Sequence, residues 1–161
     1  MADPYRVLFL CTGNSARSIL SEAILNDIGA GSFQAFSAGS KPSGQPHPDA
    51  LRELERRGHV TTGYSSKSWD AFAEDGAPEL DLVVTVCDSA ARESCPVFHG
   101  PGLRVHWPAP DPAHIEDAAA RVQAFEDVYR LCRSRIEALV QLSEEALRDP
   151  ETLQAIGRIG Q

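Results

Sequence analysis

The sequence has few basic residues for its length and no long hydrophobic run. Its 161 residues include 15 Lys and Arg against 23 Asp and Glu, which gives a formal net charge of −8. Such an acidic surface repels nucleic-acid phosphates and anionic membranes, so DNA binding is excluded as the main role. The apolar runs at residues 7–11 and 82–84 are far shorter than the roughly 20 residues that span a bilayer. We therefore expect a soluble protein with no nucleic-acid or membrane partner.

Cysteine is also scarce, and no export signal is recognisable. The N-terminal residues lack a basic region, and the apolar run that follows ends in polar residues rather than a cleavage site, so we expect a cytoplasmic protein. The four cysteines are Cys11, Cys87, Cys95 and Cys132. In a reducing compartment, cysteines are more typical of catalysis, redox chemistry or metal binding than of a structural disulfide framework.

The pattern along the chain predicts an α/β fold. Four short apolar runs have the composition of buried strands, at residues 6–11, 33–37, 80–87 and 103–107. Helical patterns separate most of these runs, beginning near residues 17, 49 and 115. Strands joined through helices imply parallel crossovers, so we predict an open four-stranded parallel sheet with helices on both faces. We predict a single domain over residues 1–161, with a core at about 6–142 and a helical tail at 143–161.

The first strand-to-helix junction carries the clearest chemical pattern. Residues 11–18 read Cys-Thr-Gly-Asn-Ser-Ala-Arg-Ser. A glycine and short polar residues allow successive backbone N–H groups to form an anion nest, and the helix N-terminus adds positive potential. The planar guanidinium of Arg17 can bind two oxygens of the same anion. The residues predicted to bind a tetrahedral oxyanion are Thr12, Gly13, Asn14, Ser15, Ala16 and Arg17.

The same positive field favours the thiolate form of Cys11, which makes this residue a candidate nucleophile. Ser18 can donate a hydrogen bond to that thiolate. In an open parallel sheet, ligands bind outside the carboxyl ends of the strands. Cys11, Cys87 and the proline-rich segment after Trp107 all fall at such ends, so we expect them to lie close together.

This loop, its position and the later Asp111-Pro112 pair resemble the low-molecular-weight protein tyrosine phosphatase family, and more closely its arsenate reductase branch. The resemblance runs from about residue 6 to residue 142. It implies that Cys11 is the nucleophile, Arg17 binds the oxyanion and Ser18 contacts the thiolate. It further implies that Asn14 holds the loop's shape and Asp111 is the general acid. Glu22 and Ser37 are similar to positions near a structural cation in some members, although we predict no bound metal.

Two departures separate the branches of the family. The phosphatases usually carry a second cysteine immediately before the loop arginine, where this chain has Ala16. They also commonly carry a tyrosine pair after the late Asp-Pro, where this chain has Ala113 and His114. The departures favour the arsenate reductase branch over phosphotyrosine recognition.

A second pair of cysteines supports this choice. Cys87 and Cys95 bracket a polar segment of small residues, which resembles the redox loop of thioredoxin-coupled arsenate reductases. The resemblance implies that Cys11 attacks arsenate, Cys87 then attacks Cys11 to release arsenite, and Cys95 attacks Cys87. Thioredoxin, or glutathione with glutaredoxin, would reduce the final disulfide, and no cofactor is expected to stay bound. We expect a monomer that uses this relay in arsenic detoxification.

Several alternatives stay open at this stage. The loop could serve a phosphatase acting on aryl phosphates or phosphotyrosine, or a noncatalytic oxyanion-binding module. Cys87, Cys95, His99 and His106 could form a zinc site, although their spacing fits none of the usual patterns. Cys87 and Cys95 could be inert packing residues, but their polar surroundings favour exposure. Cys132 falls on an apolar helical stripe and is expected in the core, while Lys41 and the five histidines are expected to be solvated.

Overall fold

The computed structural model describes residues 3–93 and 96–160. Four strands form one all-parallel sheet in the order β2-β1-β3-β4. Their bounds are β1 (Tyr5–Leu10), β2 (Phe33–Ala38), β3 (Leu82–Thr85) and β4 (Leu103–His106). The third strand is shorter than predicted because Leu80 donates to the His99 carbonyl outside the sheet and Cys87 caps the next helix. The predicted open four-stranded parallel sheet is confirmed.

Five α-helices occur in the described residues. They are α1 (Arg17–Ile28), α2 (Pro48–Arg56), α3 (Asp88–Arg92), α4 (Ala118–Val140) and α5 (Pro150–Ile156). Helix α2 starts with proline at its first position, where the missing N–H has no cost. Helix α4 starts three residues later than the sequence pattern predicts, because Asp117 caps it by accepting from the Ala120 N–H at 2.8 Å.

The central strand β1 explains how both faces of the sheet are covered. Val7 and Phe9 pack on one face with α1, α2, α4 and α5. Leu8 and Leu10 pack on the other face, against a 3₁₀ helix at Trp69–Phe72. A strand covered on both faces is apolar along its whole length, as β1 is. Helical segments therefore cover both faces, as predicted.

The strand order places a topological switch point between β1 and β3. The chain leaves β1 towards β2 on one side, and later enters β3 and β4 on the other side. Cys11 follows the carboxyl end of β1, and Cys87 follows that of β3 by two residues. This edge of the sheet is where such folds bind ligands. In the described part of the chain, no helix has both the length and the apolar character needed to cross a membrane.

Candidate active site

The loop at residues 11–16 connects β1 directly to α1. Cys11 is buried and its N–H extends the sheet ladder by donating to the Ala38 carbonyl at 3.3 Å. Helix α1 begins at Arg17, and Ala16 at its N-cap offers no side-chain acceptor. The N–H groups of the first turn are therefore available to an anion, and the helix dipole favours negative charge there.

Carbonyl oxygens of this loop point outward and accept hydrogen bonds from a neighbouring segment. Those of Thr12, Gly13 and Ser15 each accept from a backbone N–H of the segment at residues 41–47, at 2.9, 2.9 and 2.8 Å. In a trans peptide the next N–H points opposite to the carbonyl, so the N–H groups that follow turn to the inside of the loop. Within residues 3–93 and 96–160, no N–H of residues 12–16 has a protein acceptor. The loop thus presents the donors that an oxyanion requires.

Asn14 fixes the loop from within. Its backbone has a φ of +45°, a left-handed conformation that asparagine tolerates better than most residues. Its side-chain amide donates to Ser18 Oγ at 2.9 Å, and its Oδ1 accepts from the Lys67 N–H at 2.8 Å. Ser18 Oγ in turn lies 3.2 Å from Cys11 Sγ. Asn14 thus joins the loop to Lys67 and to Ser18, whose hydroxyl lies next to the Cys11 sulfur.

Gly39, which sequence reasoning missed, allows a close approach behind the loop. A Cβ atom at this position would lie 2.4 Å from the Thr12 carbonyl oxygen and 2.7 Å from that of Cys11. Both distances are too short for a real contact, so only glycine fits without a shift. The turn signal after β2 could have indicated a special backbone here, but not which segment approaches it.

Cys87 lies against the same loop. It is 5% exposed and caps α3, where its Sγ accepts from the Ala90 N–H at 3.4 Å. The sulfur also lies 3.6 Å from Thr12 Oγ1. The expectation of an exposed Cys87 was wrong, because the short helix turns the thiol inward while its polar neighbours Asp88 and Ser89 face solvent. Cys95 lies outside the described residues.

Arg17 joins the loop to the proline-rich segment after β4. Its Nη1 donates to the Ala109 carbonyl at 3.0 Å, and its Nη2 lies 3.6 Å from Asp111 Oδ2. Its Nε is buried without a partner in the described residues, so one donor is left for a ligand. Asp111 also approaches the exposed His114, with 3.2 Å between Oδ2 and Nε2. The carboxyl group is one-third exposed and lies beside the guanidinium.

A half-buried charged cluster lies beside the loop, which Lys67 also contacts through its backbone N–H. Ser37 donates to Glu22 at 2.5 Å, and the ammonium of Lys67 lies 3.4 Å from Ser37 Oγ and 2.8 Å from the Ser65 carbonyl. Burial raises the pKa of Glu22 and lowers the pKa of Lys67. At the positions that resembled a cation site, this chain therefore places its own ammonium group.

The remaining sequence expectations have mixed outcomes. Cys132 lies in the core as predicted, and burial raises the pKa of its thiol. The solvated assignment was wrong for His59, which is buried between Asp27 and Tyr129.

The zinc alternative gains no support from the described histidines. His106 contacts Asp88 and Thr85, whereas His99 contacts the Glu74 carbonyl. Across residues 3–93 and 96–160, no group of three His, Cys, Asp or Glu side chains is placed to hold a metal ion.

Comparisons with known proteins agree with the geometry of this site. The family model described as low molecular weight phosphotyrosine protein phosphatase matches residues 6–151. The chain belongs to this family. Among its relatives, an arsenate reductase from Brevibacillus brevis is 35% identical over 136 residues, which cover 79% of this chain and 98% of that protein. The chain therefore lies in the arsenate reductase branch of the low molecular weight phosphatase family.

Solved structures of the family lead to the same branch. An arsenate reductase from Archaeoglobus fulgidus has a TM-score of 0.60 and 27% identity, and covers 81% of this chain and 98% of its own. A thioredoxin-dependent arsenate reductase from Corynebacterium glutamicum has a TM-score of 0.62 and 25% identity. That match covers 89% of this chain and 66% of the other.

Proposed function

We propose that this protein is an arsenate reductase that converts arsenate to arsenite through Cys11 and an intramolecular disulfide relay, in arsenic detoxification. The observation that carries the proposal is the position of Cys87. Its thiol lies 3.6 Å from the hydroxyl of Thr12. Thr12 belongs to the loop at residues 11–16, here called the oxyanion loop, which also contains Cys11. A phosphatase needs only the loop cysteine, whereas reduction needs a second thiol that can reach it.

Arsenate binds first, in the nest formed by the N–H groups of residues 12–17. The free Nε of Arg17 and the uncapped start of α1 supply further donors. The bound tetrahedral anion then faces the sulfur of Cys11. The Ser18 hydroxyl, 3.2 Å from that sulfur, stabilises the thiolate.

The covalent step forms a bond between sulfur and arsenic. The Cys11 thiolate attacks As(V), and Asp111 in its protonated form gives a proton to the departing hydroxyl, which leaves as water. This assignment is supported by the contacts of Arg17, which donates to the Ala109 carbonyl of the same loop and lies 3.6 Å from the Asp111 carboxylate. The product is an arsenic(V) thioester-like adduct on Cys11.

The reduction follows as thiol exchange. The Cys87 thiolate attacks the Cys11 sulfur, the sulfur–arsenic bond breaks, and its electron pair stays on arsenic, which leaves as arsenite. The two electrons that reduce arsenic come from the two thiols, which are oxidised to the Cys11–Cys87 disulfide. Cys95 then attacks Cys87, which frees Cys11 and leaves a Cys87–Cys95 disulfide for the external donor.

We propose thioredoxin as that donor, because the final product is a protein disulfide and one similar structure is a thioredoxin-dependent arsenate reductase. A glutathione and glutaredoxin route is the alternative. Phosphate shares the shape and charge of arsenate, so slow hydrolysis of aryl phosphates by the same loop is the expected side activity. The family match supports this second activity.

The experiment follows arsenate-dependent NADPH consumption with thioredoxin and thioredoxin reductase, in parallel with glutathione, glutaredoxin and glutathione reductase. We expect turnover with thioredoxin and none from Cys87→Ser or Cys95→Ser. Cys132→Ala is the matched control, because this buried thiol takes no part in the relay. Steady turnover by Cys87→Ser would overturn the relay. Efficient aryl phosphate hydrolysis without any arsenate reduction would favour the phosphatase instead.

A further inference from the structure

The C-terminal segment at residues 152–160 lies beyond the family match, which ends at residue 151. This segment does not extend away from the molecule. It includes most of α5, and Leu153 and Ile156 are buried in the main core. Its contacts include the end of β4 and the start of the acid loop, which we define as residues 107–112. An addition that packs against the loop carrying Asp111 can affect the chemistry.

Arg135 connects the segment to the acid loop. This residue of α4 is 2% exposed, and among the described residues it forms no ion pair. Its guanidinium instead donates to three carbonyls: Pro108 at 2.8 Å, Gly157 at 3.0 Å and Ile159 at 3.2 Å. The guanidinium offers five donors in a fixed plane, so a single side chain can bind carbonyls from two segments at once.

Further contacts fasten the start of the acid loop to α5. The indole of Trp107 donates to the Leu153 carbonyl at 2.9 Å. The side chain of Gln154 accepts from the His106 N–H at 3.0 Å and donates to the His106 carbonyl at 2.9 Å. A Cβ atom on Gly157 would lie 2.6 Å from that same carbonyl oxygen, so the tail is packed tightly against the loop.

Two arginines therefore donate to adjacent carbonyls of the acid loop. Arg17 holds Ala109 from the oxyanion loop, and Arg135 holds Pro108 from the tail. Both arginines line a cavity of about 610 Å³ together with Cys87, Asp111 and Gly160. The end of the tail thus lines the same cavity as Cys87 and Asp111.

We infer that Arg135 is a positioning residue for Asp111, and that the tail beyond the family match holds the acid loop over the oxyanion site through it. The inference rests on the proposed function, since it assigns the acid step to Asp111. Two rigid anchors on successive residues restrict the loop, and a small displacement of a catalytic group is costly in rate.

The test is a double-mutant cycle on arsenate reduction with the thioredoxin system. Arg135→Lys keeps the charge but loses the planar fork, and we expect kcat to fall about tenfold or more with KM within about twofold. The combined variant with Asp111→Asn should be no slower than Asp111→Asn alone, because a misplaced acid and a missing acid are the same defect. Arg130→Lys, an exposed residue of the same helix, is the control and should match the wild type.

Three outcomes would overturn the inference: losses that multiply in the combined variant, an unchanged kcat in Arg135→Lys, or an Asp111→Asn variant as active as the wild type. Gln154→Ala is the milder substitution if Arg135→Lys does not fold, and it should lower kcat in the same non-additive way. Trp69→Phe leaves Trp107 as the single tryptophan. In that background, a red shift of the Trp107 fluorescence in Arg135→Lys would show that the tail has separated from the acid loop, and this readout does not depend on activity. If the wild type does not reduce arsenate, the proposed function is wrong. The double-mutant cycle is then measured on the hydrolysis of para-nitrophenyl phosphate, which tests the role of Arg135 separately.

Discussion

The amide of Asn14 donates to Ser18 Oγ, which leaves the Ser18 hydrogen free for Cys11. The first distance is 2.9 Å and the second, from Oγ to Sγ, is 3.2 Å. A thiolate at Cys11 can only accept, so in the reactive form of the enzyme the Ser18 hydroxyl donates its hydrogen to the sulfur. The pair therefore forms a short chain of donors that ends on the nucleophile.

Removing this hydroxyl should make Cys11 less reactive. A hydrogen bond to a charged group contributes about 1.5–3 kcal/mol, so we expect Ser18→Ala to slow alkylation of Cys11 by iodoacetamide at pH 7 about tenfold. Peptide mapping by mass spectrometry isolates the Cys11 rate from those of the other thiols. Ser21→Ala is the control, since that buried hydroxyl donates to the Arg17 carbonyl instead. Equal rates for Ser18→Ala and the wild type would contradict the donor chain.

The left-handed backbone of Asn14 allows strain and hydrogen bonding to be separated. Asn14→Ala loses both side-chain bonds and keeps a β-carbon at φ +45°, whereas Asn14→Gly loses the same bonds without that strain. We expect the two variants to reduce arsenate equally slowly, with glycine more stable to urea by about 1 kcal/mol. If the alanine variant were as stable as the glycine variant, the loop would not need the left-handed conformation.

Relationships between neighbouring residues could be predicted from the sequence, whereas those between distant residues could not. The nest, Cys11 and Arg17 lie within eight consecutive residues, so their relationship is local and readable from spacing. The bond between the Lys67 N–H and Asn14 joins residues 53 positions apart, and that between Arg135 and Pro108 joins residues 27 apart. Such pairs depend on how helices and loops pack, which hydrophobic periodicity does not encode.

The errors have the same origin. Cys87 was expected to be exposed because its neighbours are polar, but a single helical turn orients it opposite to them. His59 was expected in solvent because it stands alone at a predicted turn or helix surface, yet it fills a site between α1 and α4. In neither case does the local composition set the direction of the side chain, because a helix cap orients Cys87 and tertiary contacts orient His59.

The buried hydroxyl of Tyr129 provides a test of that second contact. It lies 2.5 Å from His59 Nε2 and accepts from Arg133 at 3.0 Å, while the other ring nitrogen of His59 lies 2.7 Å from Asp27. Tyr129→Phe leaves a buried imidazole nitrogen unpaired, so we expect a loss of about 1–3 kcal/mol in the free energy of unfolding. Urea denaturation measures it, with Tyr64→Phe as the control. A loss no larger than that of the control would show that the histidine finds another partner.

The pKa of Glu22 predicts how stability changes with pH. Burial raises this pKa above the ordinary value of 4.5, against the opposing effects of the Ser37 hydrogen bond and the Lys67 charge. The folded protein then holds the Glu22 proton to a higher pH than the unfolded chain does. The resulting stabilisation is complete below the unfolded pKa and is lost as the pH rises through the folded pKa.

Glu22→Gln cannot ionise and therefore lacks this dependence. We expect the unfolding free energy of the wild type, relative to Glu22→Gln, to fall as the pH rises above 4.5 and to level off once the folded pKa is passed. Chemical denaturation at closely spaced pH values between about 4 and 8 measures the difference. Glu55→Gln, at an exposed position on α2, provides the control curve. A difference that rises with pH would mean that the Lys67 ammonium outweighs burial, and that the cluster holds Glu22 in its charged form.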